Sequence, residues 1–189
     1  MDVLWWFYTI VLGGAFTQVA VALAVQWKVR AGAGTPVHPA TVLWLVFLLI
    51  LTIEVWIAVG YYIRTVDSMS IISLLAFLWV PMGILILGVF LADGTWTGAA
   101  PGSDEERFSR LRIPFFSVLL LIPMVNVVHE FVLGSLSVDA DLLFPGLIAI
   151  GAVVGFFIRG VKADGLLAAA MVVVIAVYLL TSYGTVEAL

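Results

Sequence analysis

The amino-acid sequence predicts an all-α integral membrane protein, a bundle of six transmembrane helices, on three observations. Of its 189 residues, 64% are hydrophobic and 11% are charged, whereas an ordinary soluble domain has about 25% charged residues. Long apolar stretches recur along the whole chain, and lysine and arginine gather on one side of them. Too few polar side chains remain to cover a surface in water, so most of the surface must face lipid.

Six apolar segments are long enough to be transmembrane helices, which need about 20 residues to cross a bilayer. The segments are 3–27, 41–63, 70–92, 113–136, 142–158 and 165–185. The fifth is short, and we expect the long side chains of Arg159 and Lys162 to extend from its end to the membrane surface.

No segment between the spans is large enough for a soluble domain, so one transmembrane domain is predicted. Its two three-helix halves, 1–92 and 113–189, are joined by the polar segment 93–112. That segment is rich in glycine and charge and is followed by Pro114. It is therefore predicted to be a cytoplasmic linker.

Lysine and arginine indicate the orientation, because loops that remain in the cytoplasm carry an excess of them. With six spans, seven of the eight basic residues fall on one side, and Arg64 alone falls on the other. Both termini are therefore predicted on the outer side of a cell membrane. The seven residues are Lys28, Arg30, Arg107, Arg110, Arg112, Arg159 and Lys162.

The ends of the second and fifth spans resemble each other. GYYIRTV, which begins at Gly60, aligns without a gap with GFFIRGV, which begins at Gly155. Three spans per half is an odd number, so the halves would have opposite orientations, as in the inverted repeats of many secondary transporters. The sequence therefore predicts two inverted three-helix repeats, with chance similarity between apolar segments as the alternative.

Four polar residues interrupt two of the spans. Glu54 lies in the second span, and Asn126, His129 and Glu130 share one helix face in the fourth. A charge at the bilayer centre costs about 2.5–3.5 kcal/mol on insertion scales, so Glu54 should face the bundle interior. A rise of about 1.5 Å per residue puts Glu54 level with Asn126. We therefore predict that Glu54 meets His129 across a helix interface.

Three further residues complete the predicted site. Under the repeat, the first span pairs with the fourth, which sets Gln18 beside Asn126. Pro123 removes a backbone hydrogen bond just before the polar face of the fourth span, and Pro81 does the same in the third. Such interruptions are predicted to act as kinks or gates, since broken helices are typical of transporter binding sites. Kinks alone are also common in membrane helices.

This polar cluster supports the hypothesis of a small transporter or channel that is linked to protons or cations. Glu54 would bind the proton or cation, and His129 would relay it or act as a gate. The alternative is a non-transporting scaffold, sensor or accessory subunit in which the cluster only holds the helices together. Six helices enclose little volume, so a homodimer or larger homo-oligomer is predicted, with the lipid bilayer and a small ion or solute as partners.

Several kinds of chemistry lack the residues that they require. The chain has no cysteine and two histidines, so it has no thiolate site, no HExxH motif and no paired Glu-x-x-His motifs. No lysine lies in the middle of a span, where a retinal Schiff base would need one. The net charge of −4 gives no basic surface for nucleic acid. We expect no metal site, no cofactor and no enzymatic activity.

Overall fold

The structure, a computed structural model, describes residues 2–33, 39–65, 70–92, 104–133 and 140–183. Within these ranges the chain forms six helices and no strands. In chain order they are α1 (Asp2–Ala33), α2 (Pro39–Thr65), α3 (Ile71–Leu91), α4 (Asp104–Leu133), α5 (Ala140–Phe157) and α6 (Val161–Tyr183).

Five of the six described helices are long and apolar enough to cross a membrane. The sixth, α5, has a shorter apolar stretch, Leu142–Phe157. The predicted all-helical chain with membrane-length helices is thus confirmed. The bounds of the helices lie close to the predicted spans, with α4 as the main exception.

Helix α4 begins at Asp104, well before the predicted start at residue 113. Residues 104–112 of the predicted linker are therefore helical, and residues 93–103 lie outside the described part of the chain. Phe108 and Phe115 are both buried and are two turns apart, so they lie on the same face of the helix. The apolar face of α4 therefore begins at Phe108, although polar residues lie between the two. Hydropathy detects contact with lipid rather than helicity, which is why it missed these polar first turns.

Side-chain contacts establish the directions of the helices. Gly88 of α3 packs on Val19 of α1, and Phe77 of α3 packs on Tyr8 of α1 with 4.4 Å between ring centroids. Both pairs have the same separation in sequence, so α1 and α3 run parallel.

The last two helices run antiparallel. Phe144 near the start of α5 stacks on Tyr178 near the end of α6, with 4.1 Å between ring centroids. Further along α5, Gly151 faces Met171, which precedes Tyr178 on α6. Helix α5 therefore returns from the far end of α4 to the start of α6.

The principal contacts arrange the helices in a closed ring in the order α1, α3, α4, α5, α6, α2, and α2 also contacts α3. Near one end of the bundle, Trp44 of α2 packs against Phe115 and Phe116 of α4, with 5.3 Å and 5.6 Å between ring centroids. Phe108 and Phe156 extend this buried aromatic cluster. The cluster holds the starts of α2 and α4 together.

This end of the bundle, the basic end, contains the starts of α2, α4 and α6 and the ends of α1, α3 and α5. Every lysine or arginine whose side chain is described lies there. These residues are Lys28, Arg110, Arg112, Arg159 and Lys162. The side chain of Arg64, which the sequence predicts on the opposite side, lies outside the described residues.

Candidate functional site

Glu54 lies in the middle of α2 and is 8% exposed. Its carboxyl group is close enough to interact electrostatically with the hydroxyl of Tyr8 on α1. It makes no hydrogen bond or ion pair with any residue that the structure describes. The bundle therefore shields Glu54 from lipid, as the cost of a charge in lipid requires, but provides no described counter-charge.

A narrow crevice between α1 and α2 includes Tyr8 in its wall. It is too tight to admit a water molecule. The Tyr8 hydroxyl is buried and has no hydrogen-bond partner among the described residues. The crevice is lined by Trp5, Tyr8, Thr9, Leu12, Trp56 and Val59. Glu54 does not line this crevice, so what the structure shows to be dry is the space next to Tyr8.

The polar face of α4 forms as the helical spacing predicts, but it does not pair with Glu54. Asn126 Nδ2 donates a hydrogen bond of 3.0 Å to Glu130 Oε1 on the same helix. His129 Nε2 is buried without a hydrogen-bond partner in the described part of the chain. The structure thus brings Asn126 and Glu130 together, but it does not form the predicted contact between Glu54 and His129.

The missing contact follows from the order of the helices. Helix α3 packs against both α2 and α4, whereas α2 reaches α4 through Trp44 at the basic end. The two helices run in the same direction from that contact, and an equal number of turns brings Glu54 about level with Asn126. The predicted level of Glu54 relative to Asn126 therefore agrees with the structure. The predicted contact between Glu54 and His129 would require α2 and α4 to be closer at this level than α3, which packs against both, allows.

The other predicted residues take separate positions. Gln18 lies against α3 beside Gly88. It is ten residues from Tyr8 on α1, or about 15 Å along the helix, and Tyr8 is the α1 residue that lies close to Glu54. Pro81 and Pro123 are buried within α3 and α4, and both helices continue through them. Gln18 is therefore not brought to Glu54.

A buried ion pair at the basic end was not predicted from the sequence. Arg112 Nη2 of α4 lies 2.5 Å from Asp164 Oδ2 in the first turn of α6, and both side chains are buried. Arg112 Nη1 also donates hydrogen bonds to the carbonyl oxygens of Gly155 and Ile158, at 3.0 Å and 2.5 Å. One guanidinium group thus joins α4, the end of α5 and the start of α6.

The surroundings of this ion pair combine a cation with an aromatic ring. The Arg112 guanidinium carbon lies 5.5 Å from the centroid of the Phe108 ring, within the range of a cation–π interaction. Asp164 Oδ1 is buried and has no hydrogen-bond partner among the described residues. Arg112 satisfies the carbonyl groups of Gly155, in the last turn of α5, and of Ile158, just after it, where an α-helix leaves carbonyl groups without partners of its own.

One sequence signal could have identified Arg112. It follows Phe108 by four residues and precedes Phe115 by three, so on a helix it lies on the face of two buried aromatic residues. An arginine on such a face needs a partner within the bundle. The hydropathy of the sequence instead predicts Arg112 in a cytoplasmic loop, because the apolar stretch of the fourth span begins after it.

The chemical capacity of the two places differs. The Glu54 carboxyl group has no described partner and can take up a proton or a cation, whereas the charges of Arg112 and Asp164 neutralise each other. Among the described residues, no group of three His, Cys, Asp or Glu side chains could hold a metal ion.

Comparison with protein-family models, with curated proteins and with solved structures found no match to this chain.

Proposed function

We propose that this protein is a small membrane transporter or channel that is linked to protons or cations, with Glu54 as the binding group. The supporting observation is a carboxyl group that is 8% exposed in the middle of α2 and has no described ion pair. Ionisable residues in membrane spans are rare and often mark proton or ion pathways. Uptake of a proton or cation would neutralise the carboxylate, and its release would complete one step of transport.

The proposal includes six membrane-spanning helices. The ion pair between Arg112 and Asp164 places the first part of α4 and the start of α6 at the same end of the bundle, so the chain must return along α5 from the far end of α4. Helix α5 has 18 residues, or about 27 Å at the usual rise, which is close to the hydrocarbon thickness of about 30 Å. If α4 and α6 cross the membrane, α5 crosses it too.

We also propose that the basic end faces the cytoplasm and that both termini face the outer side of a cell membrane. The excess of lysine and arginine at this end of the described bundle supports this orientation through the positive-inside rule. The inverted repeat stays a prediction. An inverted repeat would relate α1 to α4, α2 to α5 and α3 to α6. The contacts of α2 with α6 and of α1 with α3 would then have counterparts between α5 and α3 and between α4 and α6. These two counterparts are not among the principal contacts.

The dry crevice beside Tyr8 means that transport would require a change from this arrangement. Either α1 moves away from α2 and admits water to Glu54, or a path forms at a contact with another copy of the chain. The second possibility agrees with the homodimer or larger homo-oligomer that the sequence predicts.

Replacement of Glu54 by glutamine tests the proposal in liposomes that contain a pH-sensitive dye. The amide has nearly the same shape but binds no proton, so we expect the protein-dependent collapse of an imposed pH gradient, with or without added cations, to be lost. Glu106→Gln is the matched control, because Glu106 is an exposed carboxylate at the start of α4. It should retain the flux.

Two results would contradict the proposed role. If Glu54→Gln carries the same flux as the unmodified protein, Glu54 is not the binding group. If the unmodified protein collapses neither pH gradients nor cation gradients faster than empty liposomes do, the transport proposal itself fails.

A second candidate, a non-transporting scaffold, sensor or accessory subunit, is favoured by two observations. The crevice near Glu54 admits no water, and Asn126 satisfies its hydrogen bond within its own helix. Both fit a cluster that only supports packing.

Under the scaffold hypothesis, the double variant Glu54→Leu with His129→Leu should melt at the same or a higher temperature, because well-packed apolar residues can replace buried polar ones. A thermal-shift assay in detergent measures this melting temperature. A clearly lower melting temperature would show that the polar groups stabilise the bundle, and a loss of flux with unchanged stability would favour transport.

A further inference from the structure

The Glu54 carboxyl group and the Tyr8 hydroxyl are two buried polar groups that bond no residue in the described part of the chain. Glu54 is 8% exposed and Tyr8 is 2% exposed, and the two groups are close enough to interact electrostatically. The ring of Tyr8 packs on Phe77 of α3, with 4.4 Å between ring centroids, and the space beside Tyr8 is too tight for a water molecule. The interior of the bundle thus holds a carboxyl group with a hydroxyl group near it.

The surroundings of Glu54 differ from those that a metal cation requires. Hard cations bind about six or more oxygen atoms, and sodium sites in transporters obtain several of them from unwound helices. Helix α2 is continuous over Pro39–Thr65 and α1 over Asp2–Ala33, so the carbonyl groups near Glu54 are used within the helices. The hydroxyl of Thr52 donates a hydrogen bond of 2.7 Å to the carbonyl oxygen of Leu48 on its own helix. The described residues therefore gather no set of oxygen ligands around Glu54.

A proton makes different demands on its site. It forms an O–H bond with one carboxylate oxygen and needs no shell of further ligands. The neutral carboxyl group that results also avoids the cost of a charge inside a membrane span. A single buried carboxyl group in the middle of α2 meets these demands.

Tyr8 is the one titratable group near Glu54 among the described side chains of the helices that pack against α2, which are α1, α3 and α6. Helix α3 has no titratable residue. Tyr178 of α6 stacks on Phe144 of α5, and Tyr183 packs on Tyr178. The other titratable residues of α1 and α6 lie near the ends of these helices and are Asp2, Lys28, Arg30, Lys162 and Asp164.

We propose that the ion bound by Glu54 is a proton rather than a metal cation, and that the Tyr8 hydroxyl stabilises the carboxylate after the proton has left. Release breaks the O–H bond of the carboxyl group, the electron pair stays on the carboxylate, and the proton passes to water on the side to which the path has opened. The Tyr8 hydroxyl then donates a hydrogen bond to the carboxylate. This inference rests on the proposed transport function and names its ion.

Difference infrared spectroscopy of the unmodified protein in liposomes tests the identity of the ion. The carbonyl band of the protonated Glu54 side chain, identified by its absence in Glu54→Gln, should disappear as the pH rises. The midpoint of this titration should be the same in sodium, potassium, calcium and choline chloride, because no metal cation competes with the proton. A metal cation at about ten times its dissociation constant would instead lower the midpoint by about one pH unit.

The role of Tyr8 has its own signal in the same experiment. A hydroxyl band identified by Tyr8→Phe should shift at the pH at which the Glu54 band disappears, because the hydrogen bond to the carboxylate forms at that point. Tyr178→Phe is the matched control, since Tyr178 is also a tyrosine within a span but stacks on Phe144. Its band should not change at that pH. In liposomes, Tyr8→Phe should lower the proton flux about tenfold, and Tyr178→Phe should leave the flux unchanged.

Two results would overturn the inference, and a third would overturn the proposed function instead. A midpoint that falls when sodium, potassium or calcium is added would show that a metal cation binds Glu54. A Tyr8 band that does not respond to the titration of Glu54 would show that the hydroxyl does not stabilise the carboxylate. The proposed function itself fails if Glu54 titrates as expected while the unmodified protein collapses neither pH gradients nor cation gradients.

Discussion

Replacement of Arg112 by methionine is expected to lower the free energy of unfolding by about 3–5 kcal/mol. The substitution leaves the carboxylate of Asp164 buried without its counter-charge. It also removes the donor that the carbonyl groups of Gly155 and Ile158 share, so three acceptors, two of them in buried hydrogen bonds, lose their partner at once. Chemical denaturation in detergent micelles, followed by circular dichroism, measures the change.

The double variant Arg112→Met with Asp164→Leu separates the unpaired charge from the loss of the pair. Removal of both charges should recover most of the lost stability, because apolar residues of similar volume can replace a buried ion pair. Lys28→Met is the control for a surface cation and should change stability by about 0.5 kcal/mol or less. A double variant as unstable as Arg112→Met alone would mean that the carbonyl bonds, rather than the buried charge, carry the effect.

Replacement of Gly155 by alanine has the second largest expected effect. A Cβ atom at this position would overlap the ring of Phe116, which is fully buried within the aromatic cluster. A rigid ring surrounded by other rings has little room to move, and overpacking of a core costs about 1–3 kcal/mol. The same denaturation experiment should therefore show a clear loss of stability.

Two other glycines on α5 provide a graded comparison. At Gly151 the new Cβ would crowd the sulfur of Met171, a flexible side chain that can move aside at lower cost. At Gly146 nothing lies within 4 Å, so alanine should be neutral or should stabilise the helix by up to about 1 kcal/mol. The expected order of destabilisation is Gly155, then Gly151, then Gly146. Equal effects at all three positions would contradict the packing of α5 against α4 and α6.

Much of the fold could be predicted because the transfer of side chains from water to lipid is a local property of the sequence. Runs of apolar residues indicated the helices, and the cost of a charge in lipid indicated that Glu54 turns inward, where the structure has it buried. The start of α4 could not be found in this way. Its first turns are polar, and their helical state depends on the burial of Phe108 against the rest of the bundle.

The candidate site could be predicted only in part. Helical spacing correctly indicated that Asn126 and Glu130 share a face. The rise per residue predicted Glu54 level with Asn126, which agrees with the contact of Trp44 with Phe115 and Phe116. Spacing and rise do not tell which helices are neighbours, however. A partner for Glu54 on α4 was therefore expected where the structure has α3 between the two helices.

The apolar runs of the sequence were enough to predict helices of membrane length and their positions, and the cost of a charge in lipid indicated that Glu54 needs the bundle interior. The partners of the charged groups emerge only from the packing of the helices. Arg112 pairs with Asp164 and bonds Gly155 across 52 and 43 residues of sequence. Such contacts depend on the order in which helices pack, and that order results from side-chain shapes along entire helix faces rather than from any local pattern of residues.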